Sequence, residues 1–212
     1  SFPTRRSSDL ATSIIICAAF AVVAVVIESI FSDLNISVLN VVIAIGALFY
    51  YLFLFTERAR SDALTGLFNR ETYYNDLAKM GKSVNGVVQL DMNGLKYIND
   101  NLGHQKGDAA LICIANILSK IEKKNMYTYR LGGAEFTLLA INTTNEELEE
   151  TIAQFREELS KTEYHCSIGH AFRVSDSSES LDELLKIAEQ AMYLDKEEFY
   201  RSGKLERRKS RA

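Results

Sequence analysis

Two adjacent glycines, Gly132 and Gly133, separate two apolar runs of strand character, Met126–Leu131 and Phe136–Ile141. Glycine reaches positive φ without steric cost, so a glycine pair between two such runs predicts a β-hairpin and commits the middle of the chain to antiparallel pairing. The flanking segments supply what must pack on it. Val87, Val88, Leu90 and Met92 mark a largely apolar strand that ends at Asp91, and His165–Val174 reads as another. Arg70–Met80 places Tyr73, Tyr74 and Leu77 at helical spacing and stops near Gly81. Asp108–Lys124 carries the stripe Ala110, Leu111, Ile114, Ile117, Leu118 and Ile121, Glu146–Lys161 is amphipathic and acid-rich, and Leu181–Phe199 is the last long helix. Helices interleaved with strands, one hairpin and no Gly-x-Gly-x-x-Gly predict an α/β sandwich with a mixed sheet.

The N-terminal quarter has a different character. Ala11–Phe31 and Ile36–Phe55 are apolar runs, the first broken by Glu28 and Ser29 near its end. At about 1.5 Å per residue, about 20 apolar residues match a hydrocarbon core of about 30 Å, so two transmembrane helices joined as a hairpin are expected. A signal-like segment or a buried core helix is the alternative for the first run alone. The loop Glu28–Asn35 contains no Lys or Arg, whereas Arg58 and Arg60 follow the second run. That asymmetry puts the expected C-terminal domain in the cytoplasm; the bilayer that anchors it is expected to be a bacterial inner membrane. Ser1–Leu10 has no Met and resembles a translated adapter; it is expected to be non-native and is set aside, with further helices or a sensor domain expected ahead of it. Residues 56–61 form a linker, 62–200 a folded domain and 201–212 a basic tail.

A formal net charge of −4 with mixed signs gives no support for nucleic-acid binding. The three cysteines, Cys17, Cys113 and Cys166, have no paired spacing, which leaves them as small packing residues rather than a disulfide framework or zinc site.

Asp91-x-Asn93-x-x-Lys96-x-x-Asn99-Asp100-x-x-Gly103-His104-x-x-Gly107-Asp108 precedes Arg130-Leu131-Gly132-Gly133-Ala134-Glu135-Phe136, and Asp62-Ala63-Leu64-Thr65-Gly66-Leu67-Phe68-Asn69-Arg70 opens the domain. These blocks, in this order, resemble the GGDEF domain family, that of the diguanylate cyclases. The resemblance implies a five-stranded central sheet wrapped by helices, like the palm of nucleotide cyclases. It also implies cyclic di-GMP signalling, with GTP as ligand, Mg²⁺ or Mn²⁺ beside it, and a homodimer or a mixed dimer with another GGDEF protein.

Residue by residue, the resemblance makes Asp91 and Glu135 the metal ligands, with Glu135 the remaining catalytic acid. Taken alone, Asp91 reads equally well as a helix cap and Glu135 as a solvated strand residue. Asn99 and Asp108 match the pair that reads guanine; alone, such residues mean turns and caps. Gly94 and Leu95 match backbone donors to phosphate, Lys96 and Lys196 match phosphate lysines, and Gly132 and Gly133 belong to the substrate-binding turn. Where the family carries Asp or Glu after the two glycines, this chain has Ala134. A methyl group neither binds a cation nor accepts a proton, and general-base help is worth roughly 10²- to 10⁴-fold. Binding is therefore expected to outlast catalysis. The stretch matching the family's Arg-x-x-Asp feedback site is Lys123-Lys124-Asn125-Met126, which lacks both groups. A purely structural pairing element, built on the segment from Phe55 to Asp62, is the third reading.

Overall fold

The computed structural model describes residues 18–23, 25, 26, 29, 38–174 and 180–203, and divides into two compact units, residues 1–59 and 60–212. In the first unit, residues 18–23 are helical and helix α1 spans Val38–Ala59.

The membrane expectation is corrected here. Among the described residues no helix is long and apolar enough to cross a membrane. Much of the first run, the loop at 30–35 and the segment 1–10 lie outside the described residues. The helix of the second run, α1, continues through the polar linker residues Glu57 and Arg58 to Ala59. The inner-membrane placement and the cytoplasmic orientation drawn from the two runs fall with them.

In the second unit the order of elements is α2 (Arg70–Met80), β1 (Val84–Met92), α3 (Leu95–Leu102), α4 (His104–Ile121), β2 (Met126–Gly132), β3 (Glu135–Ile141), α5 (Asn145–Ser160), β4 (Cys166–Phe172) and α6 (Leu181–Arg201). The sheet has four strands in the order β2-β3-β1-β4. From β1 onward this is a ferredoxin-like β-α-β-β-α-β unit with a divided first helix. β3 returns from the hairpin between β1 and β2, and every neighbouring pair of strands is antiparallel. The expected mixed sheet is corrected on this point: helical crossovers made parallel neighbours a natural reading, but the hairpin strand inserts between β1 and β2. The sheet of the described residues therefore has four strands rather than the five that the resemblance implied, and its parallel contact is one bridge, Phe68 to Tyr129, at the β2 edge. There the Phe68 N–H donates to the Thr128 carbonyl at 3.2 Å and the Arg130 N–H to the Phe68 carbonyl at 2.8 Å.

Alternation along the strands sends neighbouring residues to opposite faces. Val88, Leu90, Phe136, Leu138 and Ile168 pack with Leu111, Ile114 and Leu118 of α4 and with Leu148, Ile152 and Phe155 of α5. Val87, Tyr129, Leu139 and Ala171 pack on the other face with Tyr73 of α2 and Leu184 and Ala188 of α6. Burial of these side chains stabilises each by about 1.5–3 kcal/mol relative to exposure. Helix starts are locally determined: Asn69 caps α2 by accepting from the Thr72 N–H, and Thr144 and Ser180 form capping boxes with Glu147 and Glu183.

Gly169 decides how closely α6 lies on β4. A Cβ there would stand 2.0 Å from the Met192 nitrogen and 2.1 Å from the Ala188 carbonyl oxygen. Those are backbone atoms and cannot swing aside, so Gly169→Ala is expected to lift α6 and cost about 2–3 kcal/mol, the upper part of the overpacking range. Urea unfolding followed by circular dichroism measures it; an unchanged midpoint would show that α6 does not depend on this contact.

Candidate functional site

Asp91 has the parity of Val87 and so belongs to the α6 face of β1. The register sets it directly opposite Glu135 of β3 on one side and Ser167 of β4 on the other. Two carboxylates facing each other across a sheet repel, and such pairs need a cation or water to relieve them. Here α6 supplies one: Lys196 Nζ lies 2.9 Å from Asp91 Oδ1, with Asp91's side chain one-tenth exposed. Glu135 is exposed. Beyond Asp91, buried Asn93 is locked to Ser167, donating from Nδ2 to Oγ at 2.8 Å and accepting from Oγ on Oδ1 at 3.0 Å. Gly94 follows at φ 76°, a left-handed turn that starts α3, whose first turn has no side-chain cap.

An open cleft of about 550 Å³ runs along this end of the sheet, lined by Asp91, Met92, Gly94, Leu95, Lys96, Tyr97, Asp100, Asn101, Ala134, Lys196 and Tyr200. Six of the expected positions thus meet in one place: Asp91, Gly94, Leu95, Lys96, Lys196 and the altered Ala134. Ala134 is half-buried against the core cluster that contains Met92, and its carbonyl accepts from the Met92 N–H at 3.0 Å. Its methyl adds no donor or acceptor to the cleft.

Asn99 and Asp108 are not in that lining. On α3, residues 96, 97, 100 and 101 turn to the cleft, and Asn99 turns towards α4. Its amide lies where a Cβ on Gly107 would stand, 1.9 Å from Oδ1, so Gly107 makes room for it. Asp108 is exposed one residue further along α4. Asn99 follows the cleft residue Leu95 by one helical turn, and both side chains approach Gly107, so the expected base-reading pair lies where α3 meets α4, outside the cleft lining.

Sequence reasoning missed the clamp on the glycine turn. Arg130 Nη1 donates to Asp62 Oδ1 at 2.9 Å, while Nη2 and Nε donate to the Gly133 carbonyl at 3.0 and 3.3 Å. Gly132 and Gly133 hold φ of 144° and 52° in that turn. Asp62 also accepts from the Thr65 N–H at 2.9 Å and its hydroxyl at 2.6 Å. Both partners were visible in the opening and glycine blocks, but a contact spanning 68 residues leaves no local mark. The missed cleft residues, Tyr97, Asp100 and Asn101, share the helical spacing of Lys96, a signal available only once α3 is recognised.

The metal expectation can be weighed on the donors present. Among the described residues no group of three His, Cys, Asp or Glu is placed to hold a metal ion. Two carboxylates, one already paired with Lys196, do not hold an ion alone; they fit one that brings phosphate oxygens and water as its other ligands.

The family model of the diguanylate cyclase GGDEF domain matches residues 59–200. This chain belongs to the GGDEF family. Diguanylate cyclase DgcM of Escherichia coli K12 is 34% identical over 148 residues, covering 64% of this chain and 35% of that protein. The chain thus spans about a third of that relative's length. Among solved structures, the coiled coil and GGDEF domain of DgcB from Caulobacter crescentus, in complex with c-di-GMP, matches the fold with a TM-score of 0.68 at 23% identity, covering 74% of this chain and 91% of that one. A microbial GGDEF domain solved for its interaction with bis-(3′,5′)-cyclic di-GMP gives 0.57 at 27% identity, covering 67% and 93%. The GGDEF α/β fold and a place among cyclic di-GMP signalling proteins are thereby established.

The Asp62 clamp makes a pH prediction. Burial raises its carboxyl, but the hydrogen bonds from Thr65 and Arg130 outweigh this and hold it below the usual carboxylate value. A depressed folded value means that its stabilisation is present above about pH 4 and is lost as pH falls through that lowered value. Asp62→Asn should therefore melt below the wild type at pH 7, with the gap in Tm closing below about pH 4. A gap that persists at pH 3 would show that the charge of Asp62 is not what the clamp uses.

Proposed function

We propose that this GGDEF chain is a GTP-binding regulatory module of cyclic di-GMP signalling in which cyclase activity is lost or strongly reduced. The observation that carries this reading is the make-up of the cleft: Asp91, Lys96, Lys196 and the start of α3 surround it, and Ala134 stands where the family has an acid. In this reading the triphosphate lies in the cleft against the backbone N–H groups of Gly94 and Leu95, with Lys96 and Lys196 as counter-charges. The base reaches Asn99 and Asp108 where α3 meets α4, and residues 62–200 form the functional domain.

Asp91 and Glu135 would hold Mg²⁺ or Mn²⁺ together with the phosphates. When bound, that ion would neutralise phosphate charge. Nothing at position 134 can take the proton of a ribose 3′-hydroxyl. Lys123 is paired with Glu150, leaving no Arg fork for product feedback at the matching position. A homodimer, or a mixed dimer with an intact GGDEF protein, is how occupancy would be passed on.

The second reading, an active diguanylate cyclase condensing two GTP in a dimer, is favoured by the name of the relative DgcM and by the retained Asp91–Glu135 pair. One set of samples separates the two readings. GTP with Mg²⁺ should raise the Tm of the full chain by several degrees, since only a ligand of the folded state stabilises it, and Asn99→Ala should remove most of that shift. Mass spectrometry should find no cyclic di-GMP from the natural chain and should find it from Ala134→Asp. Product from the natural chain that Glu135→Ala abolishes would establish the cyclase instead. No thermal shift would leave the structural pairing element.

A further inference from the structure

Lys196 brings a positive charge directly onto Asp91. Its ammonium sits 2.9 Å from Asp91 Oδ1, and Asp91 is directly opposite Glu135. The backbone that carries Lys196 has little freedom. Gly169 seats α6 directly on β4, and the adjacent Asp195 accepts from the Ile168 N–H at 2.7 Å, pinning the helix to the strand. Only the lysine side chain, about one-third exposed and in the same cleft as Gly94, Leu95 and Lys96, is placed to move. A divalent ion on Asp91 would stand within a few ångströms of that ammonium, where like charges repel strongly even in partly solvated surroundings. Phosphate oxygens entering the cleft offer the ammonium another partner of the same sign as Asp91.

We propose that Lys196 is an internal counter-ion to Asp91 that swings onto the phosphates of an incoming nucleoside triphosphate, so that divalent cation and nucleotide bind together rather than singly. The proposal rests on the nucleotide-binding reading above. With Ala134 adding no charge beside it, Asp91 keeps Lys196 as its resident positive charge, and an ion arriving without phosphate must displace that charge. Lys196 is thus a positioning residue that couples two ligands, and by linkage each must raise the affinity for the other by the same factor.

The test is Mn²⁺ binding to the full chain, followed by electron paramagnetic resonance of the free ion, with and without GTP. Wild type should bind Mn²⁺ weakly alone and about tenfold more tightly with GTP. Lys196→Met keeps the aliphatic stem and removes the charge. It should bind Mn²⁺ about five- to tenfold more tightly than wild type without nucleotide and lose most of the GTP-dependent gain. Lys196→Gln, which can still donate to Asp91, repeats the measurement if the Met variant does not fold, and Asp91→Asn should abolish the gain in every background. Unchanged or weaker nucleotide-free Mn²⁺ binding in the neutral variants overturns the proposal even where GTP still raises the wild-type Tm. Tighter nucleotide-free Mn²⁺ binding with no GTP effect in any variant would uphold the counter-ion role, overturn its transfer to nucleotide, and count against the GTP-binding reading separately.

Discussion

The pairing of β1 on both of its edges is the constraint from which the rest of the domain follows. Val84–Met92 is hydrogen-bonded to β3 along one side and β4 along the other, so its residues are in place only if the hairpin and the last strand have both docked. Alternation then does two things at once. Val88 and Leu90 go to the core under α4 and α5, and Val87 and Asp91 go to the face under α2 and α6. A one-residue slip would exchange these sets, burying the carboxylate under α4 and turning apolar side chains towards the cleft. Register against the hydrophobic core is therefore also register of the candidate site.

Around that strand, the site is built from close approaches rather than from specialised loops. Gly169 lets a helix backbone touch a strand backbone and brings Lys196 over Asp91; Gly107 lets α4 accept the Asn99 side chain. Arg130 ties the glycine turn to the first turn of the domain, and Asn93 ties the end of β1 to β4. Each contact replaces water around a polar group with a fixed partner, which keeps buried Asp91, Asn93 and Ser167 satisfied where unpaired groups would be costly. The cleft brings together Asp91, Gly94, Leu95, Lys96, Ala134 and Lys196, and leaves Asn99 and Asp108 outside its lining.

Much of the fold was legible because burial imposes periods on sequence. The stripe from Ala110 to Ile121, the run at Leu181 and the hairpin around Gly132 each came out within a few residues of the observed element. Helix α3 was missed because Leu95–Leu102 is only eight residues long, two turns in which the apolar positions Leu95 and Ile98 that pack on the core are too few to establish a period. α4 begins at His104 rather than Asp108 because Gly103, at φ 85°, turns the chain between two helices that local composition does not separate. The membrane expectation rested on apolar runs of which much of the first lies outside the described residues, and among those residues no helix is long and apolar enough to cross a membrane.

The sequence by itself determined the family, the two-sided packing of helices on a sheet, the residue types available to a nucleotide and the absence of an acid at position 134. These depend on local spacing and on side-chain chemistry, which a linear string contains in full. Tertiary structure alone decided that all neighbouring strands are antiparallel, that Asp91 faces Glu135, that Lys196 lies on Asp91, and that Asn99 packs against Gly107. Those outcomes depend on which strand inserts beside which and on how closely two backbones approach. They are set by packing between segments far apart in the chain, and no single segment encodes them.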